Sequence, residues 1–105
     1  MNLKVENKEA LLKLIHEHRQ EIARFEVKRL ALFGSFKRNE AGENSDVDLF
    51  VEFNPEQKTY SNFIRLAFFL QDLFGRKVEL LTHQSLSPFI GPKILQELEY
   101  VSLAA

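Results

Sequence analysis

Residues 32–38 read LFGSFKR and residues 45–51 read SDVDLFV, and the rest of the chain is organised around these two stretches. Apolar residues run up to Gly34 and resume after Asp46, with a polar segment at residues 39–44 between them. This pattern predicts a strand, a tight turn, a loop and a second strand. The polar groups of both stretches therefore gather where the backbone bends.

The size and composition of the chain limit what kind of protein it is. A length of 105 residues with 45% hydrophobic residues is typical of a single domain, here residues 1–105. A formal net charge of -1 gives no overall basic field, so no direct binding of nucleic acid is expected. Cysteine is absent, which excludes disulfides and thiolate metal sites. The sequence shows neither a signal peptide nor a membrane-spanning run, so we expect a cytoplasmic protein.

Hydrophobic periodicity predicts the remaining elements. An approximate 3.6-residue period favours amphipathic helices, and alternation of apolar and polar residues favours strands. We expect the tail at residues 100–101 to pair at a sheet edge, and Gly75 to end the central helix in a left-handed conformation. The longer predicted helices are 7–25, with Asn7 as cap, and 59–74. A single helical turn is predicted at about 36–38, and a last helix at 93–99 after an interruption at Gly91-Pro92. The predicted strands are Val27–Phe33, 46–53 and 77–82.

Two aspartates lie two residues apart on the second predicted strand. Because side chains alternate along a strand, Asp46 and Asp48 project from the same face, roughly 6.6 Å apart. Like charges that are held together and partly desolvated repel each other and raise a pKa. A divalent cation relieves that repulsion, and Mg²⁺ prefers oxygen ligands while keeping coordination positions for substrate phosphates. The pair therefore indicates a metal site.

The turn before this strand has the features of a phosphate-binding segment. Gly34 allows the backbone to approach a phosphate closely, and the amides of a following helical turn would point outward as donors. Ser35 adds a hydroxyl, and Lys37 and Arg38 add cationic groups. Each motif alone also fits an ordinary turn or a solvent-facing pair of carboxylates. The two motifs together, directly after a strand, are much less common.

The central predicted helix carries two apolar stripes. Tyr60, Ile64 and Phe68 form a second stripe at i, i+4 spacing beside the main one. Two explanations remain open, since two layers of the protein could cover both stripes, or the second stripe could dock a partner or a second copy. The main stripe consists of Phe63, Leu66, Ala67, Leu70, Leu73 and Phe74.

The succession GSFKR at residues 34–38 and SDVDL at residues 45–49 resembles the signature of the minimal nucleotidyltransferases, a family of the DNA polymerase beta superfamily. Residues 75–82 are similar to the third strand of that family, and residues 85–95 to the helix after it, so the resemblance covers nearly the whole chain. It implies an α/β (α+β) fold with a small mixed sheet flanked by helices.

The resemblance also implies roles for the site residues. Gly34 and Ser35 would hold the triphosphate of ATP, with Lys37 and Arg38 nearby, and Asp46 and Asp48 would bind two Mg²⁺ ions. Glu79 matches the third carboxylate of the family, which helps to ligate the metal beside the attacking hydroxyl. The alternation of the third strand places Glu79 opposite Val78 and Leu80.

Three residues depart from the family pattern. The family often has aspartate where Glu79 stands, glycine where Asn39 stands, and a small residue where Lys37 stands. Glutamate keeps the charge of aspartate but reaches one methylene further. The departure at Glu79 therefore bears on catalytic competence more than on binding of the nucleotide.

The resemblance further implies a partner, because small proteins of this family accompany a HEPN-domain ribonuclease toxin as its antitoxin. In some of them AMP is transferred from ATP to a tyrosine of the toxin. Two alternatives to this protein adenylyltransferase remain open: a catalytically weak or inactive nucleotide-binding antitoxin that acts by contact, and a nucleotidyltransferase acting on a small molecule. A homodimer and a hetero-oligomer are both compatible with the sequence.

Overall fold

A computed structural model describes residues 4–57 and 59–104 of the chain. Within these residues a four-stranded sheet has the strand order β3-β2-β1-β4. β1 runs antiparallel to β2 and to β4, whereas β2 and β3 are parallel, so the predicted mixed sheet is confirmed. The elements in chain order are α1 (Lys8–Glu17), α2 (Arg19–Ala23), β1 (Val27–Phe33), α3 (Gly34–Lys37), β2 (Val47–Phe53), α4 (Tyr60–Phe74), β3 (Val78–Leu81), α5 (Gly91–Glu97) and β4 (Glu99–Val101).

The larger apolar layer lies between one face of the sheet and helices α1, α2 and α4. Val47, Leu49 and Val51 of β2 point into this layer, which confirms the predicted alternation of that strand. β3 contributes Val78 and Leu80 in the same way. The helical side of the layer consists of the buried residues Leu11, Ile15, Ile22, Leu66, Leu70 and Phe74.

The opposite face of the sheet carries a smaller apolar cluster. Ala31, Phe33 and Phe50 are buried there, beneath the segment that leads into α5. The partly buried residues that cover them are Leu81, Leu86, Ile94 and Leu98. Because this cluster is small, the face keeps room for polar side chains at the end of the sheet where β1 ends and β2 begins.

The first predicted helix, residues 7–25, is divided in the structure. Asn7 caps α1 as predicted, since its side chain accepts a hydrogen bond from the Ala10 amide at 2.8 Å. The chain leaves the helical conformation at His18, and α2 begins at the next residue. Arg19 donates from Nη1 to the His16 carbonyl at 2.7 Å across this break. The Arg19 side chain thus supplies a hydrogen-bond donor to a carbonyl near the end of α1.

Both predicted ends of α4 are confirmed. Thr59 caps the helix by accepting from the Asn62 amide at 3.0 Å, and Gly75 follows it with a φ of 65°. Tyr60 and Phe68 remain 81% and 64% exposed. The explanation in which the chain itself covers both apolar stripes is therefore wrong for these two residues, because its single helical layer on this face reaches only the main stripe.

The last predicted helix, residues 93–99, lies at residues Gly91–Glu97 instead. Gly91-Pro92 begins the helix rather than interrupting a turn, because the first turn of a helix leaves its amides unpaired and tolerates proline. Glu99 belongs to β4, whose pairing with β1 confirms the sheet-edge role predicted for residues 100–101. None of the helices in the described part of the chain has the length and apolar character needed to cross a bilayer.

Candidate active site

The pairing of three strands brings the predicted site residues together. Phe33, which precedes the glycine turn, lies opposite Asp48 in the antiparallel pair of β1 and β2. Glu79 lies opposite Asp48 in the parallel pair of β2 and β3. Asp48 therefore stands between the turn and the third carboxylate. Asp46 lies in the loop just before β2, which begins at Val47 rather than at residue 46.

The glycine turn packs directly against the Asp48 carboxylate. Gly34 has a φ of 74°, and a Cβ at this position would lie 2.0 Å from Asp48 Oδ2. Both facts exclude a side chain here, because L-residues avoid this backbone region and the carboxylate fills the space. α3 runs from Gly34 to Lys37, so it begins two residues before the helical turn predicted at about 36–38.

The remaining residues predicted to contact phosphate lie along this short helix. Ser35 and Lys37 are half-buried, and Arg38 caps the helix as an exposed residue. Asn39 follows with a φ of 57°. Asparagine tolerates this left-handed conformation better than most residues, so it can take the position where the family often has glycine.

Glu97 of α5 joins the site, although no sequence motif indicates it. Its Oε1 accepts hydrogen bonds from the Gly34 amide and from Arg38 Nη1, both at 2.9 Å. Arg38 also donates from Nε to Glu40 at 2.7 Å. Glu97 therefore fixes the first amide of the turn and the cationic group that follows it.

The carboxylates of the site repel one another. The pKa of Asp48 is raised from the ordinary 3.8 to about 6, first by burial and then by the charge of Glu79, a hydrogen bond with Glu79 and the charge of Asp46, while the charge of Arg38 opposes the shift. The site therefore concentrates negative charge that is unfavourable without a compensating cation.

Asp46, Asp48 and Glu79 fit a divalent cation by their chemistry. All three offer the carboxylate oxygens that Mg²⁺ prefers, and bound positive charge would relieve the repulsion that raises the Asp48 pKa. In the described ranges, 4–57 and 59–104, no three His, Cys, Asp or Glu side chains already stand in a ligating arrangement. Side-chain rotation would therefore have to accompany binding of the ion.

The raised Asp48 pKa makes stability depend on pH in a defined direction. The folded state binds this proton more tightly than the unfolded state, so metal-free protein gains stability as the pH falls through about 6. The gain is complete below the unfolded pKa of about 4. We expect the free energy of unfolding in urea, measured relative to Asp48→Asn, to increase between pH 7.5 and pH 5. A decrease over this interval would contradict the assigned environment of Asp48.

A glycine turn follows β1, aspartates lie at the start of its antiparallel neighbour β2, and a glutamate lies on the parallel β3, so the candidate site is built on three strands of a mixed sheet. Residues 15–101 match the nucleotidyltransferase domain family. The match covers more than half of the chain, and the chain belongs to this family. It is a nucleotidyltransferase.

Three known proteins show how far the similarity extends. The protein adenylyltransferase MntA of Thermococcus cleftensis is 37% identical over 94 residues, which cover 89% of this chain and 94% of MntA. A solved structure provisionally described as a minimal nucleotidyltransferase is 32% identical, with a TM-score of 0.69 over 84% of this chain and 93% of the other. Both similarities thus cover more than four fifths of the chain.

The third similarity concerns the fold alone. A chain in the complex of tri-AMPylated Shewanella oneidensis HEPN toxin with MNT antitoxin aligns with a TM-score of 0.60 at 17% identity. The alignment covers 87% of this chain and 71% of the other. The same sheet and helices thus occur in a protein from a toxin–antitoxin complex.

Proposed function

We propose that this chain is a Mg²⁺-dependent protein adenylyltransferase antitoxin. It transfers AMP from ATP to a tyrosine hydroxyl of a cytoplasmic HEPN ribonuclease toxin and thereby neutralises the toxin. The observation that carries the proposal is the position of Asp48, between the Gly34 turn and Glu79 on adjacent strands. The similarity to MntA over 89% of the chain supports the adenylyl group as the one transferred.

The two halves of the site take different parts in this reaction. Gly34, Ser35, Lys37 and Arg38 hold the triphosphate, because glycine lets the backbone approach a phosphate closely and the two cationic side chains offset its charge. Asp46, Asp48 and Glu79 hold two Mg²⁺ ions. When bound, these ions supply positive charge that stabilises the attacked phosphate and the leaving pyrophosphate.

In the proposed reaction Glu79 acts on the acceptor hydroxyl. It is exposed on β3, the edge strand of the sheet, so a partner protein can reach it from solvent. As the acceptor oxygen bonds to the α-phosphorus, the bond from that phosphorus to the bridging oxygen breaks and pyrophosphate leaves. Glu79 favours loss of the hydroxyl proton during this exchange.

The proposal is tested by incubating the chain with ATP, Mg²⁺ and its HEPN-domain partner. We expect the intact mass of the HEPN protein to increase in units of AMP, and a chelator to prevent the increase. An unchanged mass with a well-folded chain and partner would contradict the proposed activity.

A contact antitoxin, with weak or no transfer activity, is a second candidate that one observation favours. Tyr60 and Phe68 expose large apolar surfaces on α4, on the side of the sheet away from α5. Exposed apolar surface of this kind is typical of docking sites. In this candidate the α4 surface, and not the carboxylates, carries the neutralisation.

Phe68→Glu is expected to abolish neutralisation of the HEPN partner if the α4 surface docks it, since a charge at the contact must be desolvated. The free energy of unfolding should change by less than about 0.5 kcal/mol, because exposed positions contribute little to stability. Growth rescue during toxin expression measures neutralisation. Phe89→Glu, a matched change at an aromatic residue that is 89% exposed on the other side of the sheet, serves as control. Full rescue by Phe68→Glu would contradict docking through α4.

A further inference from the structure

Arg76 is a buried cation in the segment between α4 and β3. It follows the Gly75 cap of α4, and only 8% of its surface is exposed. Its Nε donates to the Val5 carbonyl at 2.6 Å, and its Nη1 donates to the Gly42 and Ser45 carbonyls at 2.9 and 2.7 Å. A longer contact, 3.4 Å, joins Nη1 to the Glu43 carbonyl.

The guanidinium also contacts the helix that follows the glycine turn. Its central carbon lies 4.9 Å from the centre of the Phe36 ring, in the geometry of a cation–π interaction. Phe36 is fully buried within α3. One side chain therefore contacts both the loop before the aspartates and the helix that begins at Gly34.

The loop held by Arg76 leads directly into the carboxylates. Ser45 immediately precedes Asp46. The amide of Val47, the residue after Asp46, donates to the carbonyl of Lys77 at 2.9 Å, and Lys77 is the residue after Arg76. Gly42 is held from the other side, since its amide donates to Ser45 Oγ at 2.8 Å. The position of Ser45 is thus fixed by its carbonyl and by its hydroxyl.

We propose that Arg76 is a positioning residue that fixes the loop at residues 42–45, and through it Asp46, relative to the glycine turn. A planar guanidinium presents several donors in a fixed fork, whereas a lysine ammonium is a single point of charge on a flexible stem. The structural part of this inference stands independently of the proposed function. Its kinetic part rests on the proposed AMP transfer.

Arg76→Lys tests the structural part by amide hydrogen exchange. We expect exchange at the Gly42, Ser45 and Val47 amides to become at least about 10-fold faster, while amides of the β1–β4 pair keep their rates. Arg76→Met, which retains length without any donor, should show the same local pattern. Ile22→Val is the matched control, because it weakens the core at a buried position of α2 without touching the loop.

A purely structural role predicts a different result. If Arg76 only contributed to global stability, both Arg76 variants would accelerate the most protected amides throughout the sheet by a common factor, as Ile22→Val does. Such a uniform change, or no change at residues 42–47, would overturn the inference. A change confined to the loop supports it.

Binding of Mn²⁺ alone, measured by electron paramagnetic resonance, gives a second readout. Loss of a residue that orients metal ligands typically weakens binding by about 10- to 100-fold, and we expect Arg76→Lys to fall in this range. In AMP transfer kcat should fall by about 10-fold while KM for ATP stays within about 2-fold. If wild-type protein transfers no AMP, the proposed function fails, but the exchange data still decide the role of Arg76. No change in exchange at residues 42–47 would refute that role, and unchanged Mn²⁺ affinity would refute the positioning of Asp46.

Discussion

Replacing Asp46 and Asp48 together by asparagine is expected to abolish AMP transfer to the HEPN partner, by at least about 1,000-fold. Loss of one preorganised electrostatic group commonly lowers kcat by about 100- to 1,000-fold, and this variant removes two. Asparagine keeps nearly the same shape as aspartate but cannot supply the negative charge that binds Mg²⁺. The loss should therefore arise from the absent charge rather than from altered packing.

The stability of the same variant separates this cause from unfolding. The Asp48 carboxylate is disfavoured in the folded state at neutral pH, so its replacement should leave the Tm of metal-free protein unchanged or raise it. Wild-type protein should gain Tm when Mg²⁺ is added, because an ion that binds only the folded state stabilises it. The double variant should show no such gain.

Intact-mass spectrometry of the HEPN partner measures the transfer, and calorimetry measures the two effects on Tm. A double variant that modifies the partner as well as wild type does would show that the site lies elsewhere. If it loses transfer but still neutralises the toxin, the contact mechanism is favoured over AMP transfer as the basis of neutralisation.

Gly34→Ala is the single substitution with the largest expected effect. The added Cβ would lie 2.0 Å from Asp48 Oδ2, and the backbone at a φ of 74° is itself unfavourable for alanine by about 1–2 kcal/mol. Either the turn or the carboxylate must move. A displacement of about 1 Å at a catalytic group can lower the rate about 100-fold, so we expect a loss of at least that size.

Gly42→Ala provides the matched control for this substitution. A Cβ at Gly42 would have Ser45 Oγ as its nearest neighbour at 4.0 Å, which is ordinary van der Waals contact. Its transfer rate and Tm should therefore stay close to those of wild type. Rates measured at saturating ATP and Mg²⁺ compare the two variants. A Gly34→Ala protein as active as Gly42→Ala would show that the turn does not need to contact Asp48.

Much of the sheet could be predicted because strand periodicity is a local signal. The alternation of apolar and polar residues placed Val47 and Leu49 on the core face, and it placed Asp48 on the opposite one. The same alternation places Glu79 on the face of β3 opposite to Val78 and Leu80. The resemblance to the minimal nucleotidyltransferases then predicted which groups would meet, although the antiparallel and parallel pairings themselves required the structure.

The contacts that the sequence does not predict join residues that lie far apart in the chain. Glu97 reaches Gly34 across 63 positions, and Arg76 reaches Val5 across 71. No spacing rule links such pairs, because they meet only after α5 and α4 have packed on the sheet. The break at His18 was missed for a related reason, since the apolar period continues through it to Ile22, which is buried in the same core.

The register of the mixed sheet makes the position of the Asp48 carboxylate depend on correct folding. A slip of one residue between β2 and either neighbour would turn Asp48 into the apolar layer and expose Leu49, which the core does not allow. Selection for a well-packed sheet would therefore preserve the placement of the carboxylates even though their mutual repulsion opposes folding. Substitutions at buried positions of β2 could thus erase activity without touching any charged group.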